Sequence, residues 1–172
     1  MINLKYQIEL FDDSSNGGYC TLYYIKDHAN LGFKEFISKS RAEYARKIQV
    51  RLSKLNLAPK VFSTICRLKY DKYRASGWGY VTELADIVRP KSIPLKSIQK
   101  LVDNIFKKTQ LKFWDCHWDN LGFITRNHKK CLVCIDTGKE TWKGDANYFG
   151  NADPGPKCGY CLKYKCKCIL GE

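Results

Sequence analysis

Residues 111–124 read LKFWDCHWDNLGFI, and residues 131–138 read CLVCIDTG. The first stretch sets two aspartates, a histidine, a cysteine and an asparagine among large aromatic and aliphatic side chains. Polar groups in apolar surroundings are costly unless they are partnered. LGFIT and CLVCID are short strand patterns around the polar turn RNHKK, so a hairpin returns Asp136 towards Asn120. Asp115, Asn120 and Asp136 then meet around one point. Phosphoryl transfer needs such a set: a carboxylate near the attacking hydroxyl and hard oxygens to hold magnesium. The alternative is plain structure, with Asp115 and Asn120 forming a turn and Asp136 capping a strand.

Upstream, KYQIELF and YCTLYYIK are rich in β-formers and flank DDSSNGG, which supplies turn chemistry for a hairpin. GFKEFISKSRAEYARKIQVRLSKL contains no proline and reads as one long helix, with Ile37, Ala45, Ile48, Leu52 and Leu55 on its buried stripe. Pro59, in NLAPK, ends it. A second hairpin occupies 61–85, with VFSTICRLKY and GYVTELA as its strands. RPKSIP is a connector, and LKSIQKLVDNIFKK, Leu95 to Lys108, is an amphipathic helix carrying Ile98, Leu101, Val102, Ile105 and Phe106.

The order Asp-x-His-x-x-Asn, a short hairpin and then Ile-Asp-x-Gly resembles the protein-kinase-like fold, in particular its aminoglycoside-phosphotransferase-like and small atypical branches. The similarity spans roughly residues 5 to 140 and implies an α+β fold: a small antiparallel sheet plus a long helix, a catalytic-loop hairpin and a Cys-rich C-terminal tail. It implies units at 1–88 (sheet and helix), 89–145 (reduced second lobe) and 146–172 (tail). By the same resemblance Asp115 is the catalytic aspartate, and Asn120 and Asp136 are ligands of Mg, with Thr137 where the family has Phe. Lys26, ending YYIK, is the lysine on the ATP phosphates. Glu43 is its acidic partner by chain distance, although helical geometry turns Glu43 away from the Ile48–Leu52 stripe. Glu83 to Ala85 would meet the adenine edge. His117 supports the loop, and Trp114 and Trp118 pack around it.

The departures are also plain. Only one strand precedes YYIK, so the glycine-rich loop is missing, or DDSSNGGY stands in for it through Gly17 and Gly18. Past Asp136 the sequence has too few residues for the usual helical half. The chain is therefore a minimal ATP- or GTP-dependent phosphotransferase acting on a protein, RNA or small-molecule hydroxyl, or a pseudokinase-like binding module.

Lys and Arg number 30 against 17 acids in 172 residues, a formal charge of +13 that favours nucleic acid, phosphate-rich ligands or an acidic protein as partner. The basic residues are scattered rather than gathered into a run. No apolar run is long enough to span a membrane, and no signal-peptide pattern opens the chain, so a cytoplasmic location is expected. Nine cysteines then point to thiols or metal ligands rather than disulfides. Cys158, Cys161, Cys166 and Cys168 suit Zn, with Cys66 or His128 as substitute ligands; free or redox-active thiols are the alternative. Cys131 and Cys134 face opposite sides of a strand and belong to the core.

Overall fold

A computed structural model describes residues 8–9, 20–25, 27–67, 77–88 and 92–143. Strands β1 (Ile8–Glu9), β2 (Cys20–Ile25), β3 (His28–Phe36), β4 (Cys66–Arg67) and β5 (Trp78–Glu83) form an antiparallel sheet in the order β1-β2-β3-β5-β4. Helix α1 (Lys39–Ser53) packs on it. Strands β6 (Asp86–Ile87), β8 (Leu121–Arg126) and β9 (Lys129–Cys134) make a second sheet, covered by helix α2 (Leu95–Thr109). β7 (Lys112–Phe113) pairs with β10 (Trp142–Lys143), so the segments flanking the 115–138 region are tied together. Both expected upstream hairpins are present.

One boundary differs from expectation, and it matters. GFKEF is not the start of a helix but the second half of β3. Asp27 at φ 62° closes a tight turn in which Ile25 faces His28, and the chain returns as a strand paired on both edges. The helix starts only at Ser38, whose hydroxyl accepts from the Arg41 N–H at 3.3 Å. Ile37, expected on the helical stripe, is therefore 82% exposed, whereas Ala45, Ile48 and Leu52 are buried as expected. One strand, β1, precedes the YYI strand β2, as expected, and β3 follows it as a further strand. The sequence DDSSNGGY lies between β1 and β2.

α1 stops before Pro59. Asn56 adopts φ 57°, and Leu57 N–H bonds Leu52 O at 3.0 Å while Asn56 N–H bonds Ser53 O, a left-handed helix end that needs no proline. On α2, Ile98, Leu101 and Ile105 are buried, but Phe106 is 42% exposed. The main core gathers Ile48, Leu52, Leu101, Ile105, Phe113 and Trp142 between the helices and the second sheet. The β8–β9 turn is Asn127-His128, both with positive φ, which matches the right-handed twist of the strands. Among the described residues no helix is long and apolar enough to cross a membrane.

Candidate functional site

The β8–β9 hairpin delivers what its sequence promised geometrically. Asn120 closes a short 3-10 turn, Trp118–Asn120, just before β8, and its carbonyl accepts from Ile135 N–H at 2.9 Å. Asp136 therefore sits one residue from a direct bond to Asn120. On the other side, Asn120 Nδ2 donates to Asp115 O at 2.8 Å and lies 3.2 Å from Asp115 Oδ2. The fold brings Asp115, Asn120 and Asp136 together.

The orientation of the Asn120 amide follows from its neighbours. Both Asp115 oxygens are acceptors, so the edge facing them is the NH2 group. His117 Nε2 lies 3.0 Å from the same Nδ2 and 3.5 Å from Asp115 Oδ2, and its Nδ1 lies 3.6 Å from Asp119 Oδ2. His117 thus orders the loop. The amide Oδ1 is left for a ligand. Asp136 is treated similarly: Gly138 N–H holds Oδ1 at 2.9 Å, leaving Oδ2. Carbonyl and carboxylate oxygens in this number are the donor chemistry that magnesium takes, so the residues fit that ion. Trp114 is buried, and Trp118 packs against the main core, as expected of walls.

The lysine at this point is Lys34 on β3. Its side chain is nine-tenths buried, and Nζ donates to the carbonyl of Ile135, the residue before Asp136. It also donates to Gln49 Oε1 at 3.3 Å. The expected pairing is Lys26 with Glu43. Lys26 lies outside the described residues, and Glu43 is exposed on α1, 3.7 Å from Lys39 in an i,i+4 pair. Gln49 occupies the buried stripe that Glu43 misses, one turn after Ala45. Two signals in the sequence would have found this pair: Ser38 as a helix start, which frees GFKEF to be a strand, and a polar residue on an otherwise apolar stripe.

Gln49 is the centre of a buried polar network. Its Oε1 accepts from Lys34, from Tyr80 OH at 2.8 Å and from Thr137 Oγ1 at 3.5 Å. Its Nε2 donates to Pro59 O at 3.1 Å and to Thr82 Oγ1 at 2.5 Å. Arg41 on α1 ion-pairs with Glu140, just beyond Asp136-Thr137-Gly138, so the helix and that segment are clasped at a second place. Burial pushes the Cys20 thiol up to about 12, with Lys34 opposing and Asp136 and Glu35 adding to the rise. Burial also raises Cys134 well above the usual thiol range. Both remain protonated at neutral pH. Cys134 is core, as expected, and Cys131 is half-buried.

Glu83 and Ala85 end β5 and lead into β6. The N–H of Glu83 is taken by Lys60 O at 2.8 Å and that of Leu84 by Asn30 O at 2.9 Å. Ala85 packs against Gly122, where any side chain would come within 2.8 Å of both Ala85 Cβ and Ile135 Cγ2. Only glycine permits that approach of the second sheet. The Glu83 carboxylate receives both terminal nitrogens of Arg126, a fork between the two sheets. Partial burial pushes this carboxyl up, but the Arg126 fork and the Lys60 N–H outweigh it and hold it below the usual range. A depressed folded-state value means stability that is present above the unfolded carboxylate value of about 4.3 and lost as pH falls through the folded one. Glu83→Gln is therefore expected to cost about 2 kcal/mol at neutral pH, because it leaves Arg126 unpaired. It should also flatten the acid limb of stability below about pH 4.3, read by urea melts across pH. An unchanged acid limb would remove the fork as its source.

Cys158, Cys161, Cys166 and Cys168 lie outside the described residues. Of their proposed substitutes, Cys66 sits half-buried in β4 and His128 in the exposed β8–β9 turn. Among the described residues no three His, Cys, Asp or Glu side chains are gathered to hold a metal ion.

No protein-family model and no curated protein matches the chain. Among solved structures, the kinase PK-1 of Cydia pomonella granulovirus is similar, with a TM-score of 0.50 and 15% identity over 78% of this chain and 54% of that one. The chain spans about half the length of that kinase. Identity so low speaks to the fold alone. Two helices, small antiparallel sheets and a loop-hairpin at their junction make this a reduced kinase-like fold.

Proposed function

We propose that this protein is a kinase-like phosphotransferase that moves the γ-phosphoryl group of ATP or GTP to a hydroxyl acceptor. One arrangement carries the reading: Lys34 Nζ donates to Ile135 O while Ile135 N–H donates to Asn120 O, so the lysine and the asparagine meet at the peptide before Asp136, and Asn120 in turn holds Asp115. Asp115 orients the acceptor hydroxyl and takes its proton. Asn120 Oδ1 and Asp136 Oδ2 would hold magnesium, which when bound neutralises charge on the transferring phosphates. Lys34, not Lys26, steadies the α- and β-phosphates. The Glu83–Ala85 segment offers the adenine edge its remaining backbone groups. Catalysis by such a site is positioning and charge complementarity rather than covalent chemistry. The acceptor is a protein, an RNA or a small molecule.

A second reading, a kinase-like binding module without turnover, is favoured by Gln49, which gives Lys34 a neutral partner where the resemblance places an acid. ATP turnover of wild type against Asp115→Ala separates the two. A loss of about 10²- to 10⁴-fold in the variant supports proton transfer by Asp115. Identical background rates assign the fold to binding.

A further inference from the structure

Basic residues that are scattered in sequence are brought to two adjoining helix ends in the fold. The stretches 44–56 and 104–112, the C-terminal halves of α1 and α2 together with the residues just beyond each helix, contain no aspartate or glutamate. Arg51 Nη2 donates to Thr109 O at 2.9 Å and joins the two helix ends. Around this link Lys47, Arg51 and Lys54 step along about 10 Å of the outer face of α1, each exposed. Lys107 and Lys108 precede Thr109, and Lys112 lies beyond the helix at the start of β7; all three are exposed. Cations at helix C-termini favour the helix dipole, which accounts for one or two of them. It does not account for six exposed cations against two flanking carboxylates, Glu43 and Asp103, one helical turn before Lys47 and Lys107. Phe106, 42% exposed, stands beside Lys107 on a helix whose other large apolar groups face the core.

From this geometry we infer that the joined C-terminal ends of α1 and α2 form a binding surface for single-stranded nucleic acid. The six cations follow the phosphates, and Phe106 offers its face to a base. An acidic peptide would use the charges but has no need of an exposed aromatic. The surface is independent of the phosphotransfer reading, since none of these residues belongs to the Asp115–Asn120–Asp136–Lys34 group.

The test is fluorescence anisotropy of a labelled oligothymidylate against the full chain from low to high salt. Six phosphate contacts predict a log–log salt slope of about −4. Lys107→Ala/Lys108→Ala, and separately Lys47→Ala/Lys54→Ala, should each reduce that slope by about 1.4 and weaken low-salt binding by on the order of tenfold. Phe106→Ala should weaken binding on the order of tenfold and leave the slope alone. Two pairs on different helices, with far-UV circular dichroism unchanged, keep a folding defect from standing in for a binding one. Absence of binding at low salt overturns the inference, as does binding that neither lysine pair alters. Equal affinity for polyglutamate, with the same dependence on the lysines and none on Phe106, would assign the surface to an acidic protein instead.

Discussion

Asp136→Ala is expected to abolish magnesium-dependent nucleotide binding while leaving the fold intact. Asp136 is half-buried two residues beyond β9, next to the Ile135 carbonyl that Lys34 holds, and the Gly138 N–H fixes one of its carboxylate oxygens. Structurally, the substitution removes a single hydrogen bond, about 1 kcal/mol. Functionally, it removes the carboxylate proposed to hold magnesium with Asn120. Calorimetry with ATP and magnesium should show affinity falling by more than about 100-fold, equivalent to roughly 2.7 kcal/mol. The melting temperature should move by only a few degrees. Undiminished affinity would end the metal assignment for Asp136, and with it the phosphotransfer reading.

Gln49→Glu provides the second large effect, and its sign is the informative part. A carboxylate at this position would give Lys34 an ion-pair partner, so a charge-pairing view predicts stabilisation. The surrounding atoms predict the opposite. Nε2 of Gln49 faces Pro59 O, which can only accept, and the Thr82 hydroxyl, which itself donates to Lys60 O at 3.1 Å. A carboxylate oxygen in that place would stand 3.1 Å from a carbonyl oxygen, with both out of water. The Lys34 attraction would not offset a buried charge with one repelled oxygen. Destabilisation of about 2–4 kcal/mol is expected at neutral pH, a fall in melting temperature on the order of 10 °C. Protonation would give the acid a hydrogen to donate to Pro59 O. The folded-state value of such a carboxyl is raised by burial, so the deficit should shrink as pH falls. An unchanged or higher melting temperature at neutral pH would mean that the amide edge is not what the site selects.

How much of this was legible beforehand depended on sequence separation. Asp115, Asn120 and Asp136 were found because a short loop and one two-residue-turn hairpin connect them, and turn chemistry with alternation is local information. Strand β3 was missed for a local reason too. Apart from Ser38, nothing in GFKEFISKS breaks a helix, so the strand was absorbed into α1, and Lys34 with it. What rescues β3 is its pairing to β2 on one edge and β5 on the other, the latter about fifty residues downstream. Glu43 was chosen on charge type ahead of the buried stripe, where the polar residue is a glutamine. Phe106 was placed among the buried residues of α2 because its helical angle borders the apolar face, but the core is filled without it.

By itself, then, the amino-acid sequence determined the two helices, the hairpins and the return of the chain beside Asn120 just before Asp136, since period, turn residues and short loops act within a few residues. Tertiary structure decided which lysine reaches that point: the bond from Lys34 to Ile135 O joins residues 101 apart. It also decided that α1 presents Gln49 to that lysine, and that the C-terminal ends of α1 and α2 meet. Contacts of that separation depend on which surfaces pack together, and packing is set by the summed burial of many apolar side chains rather than by any motif.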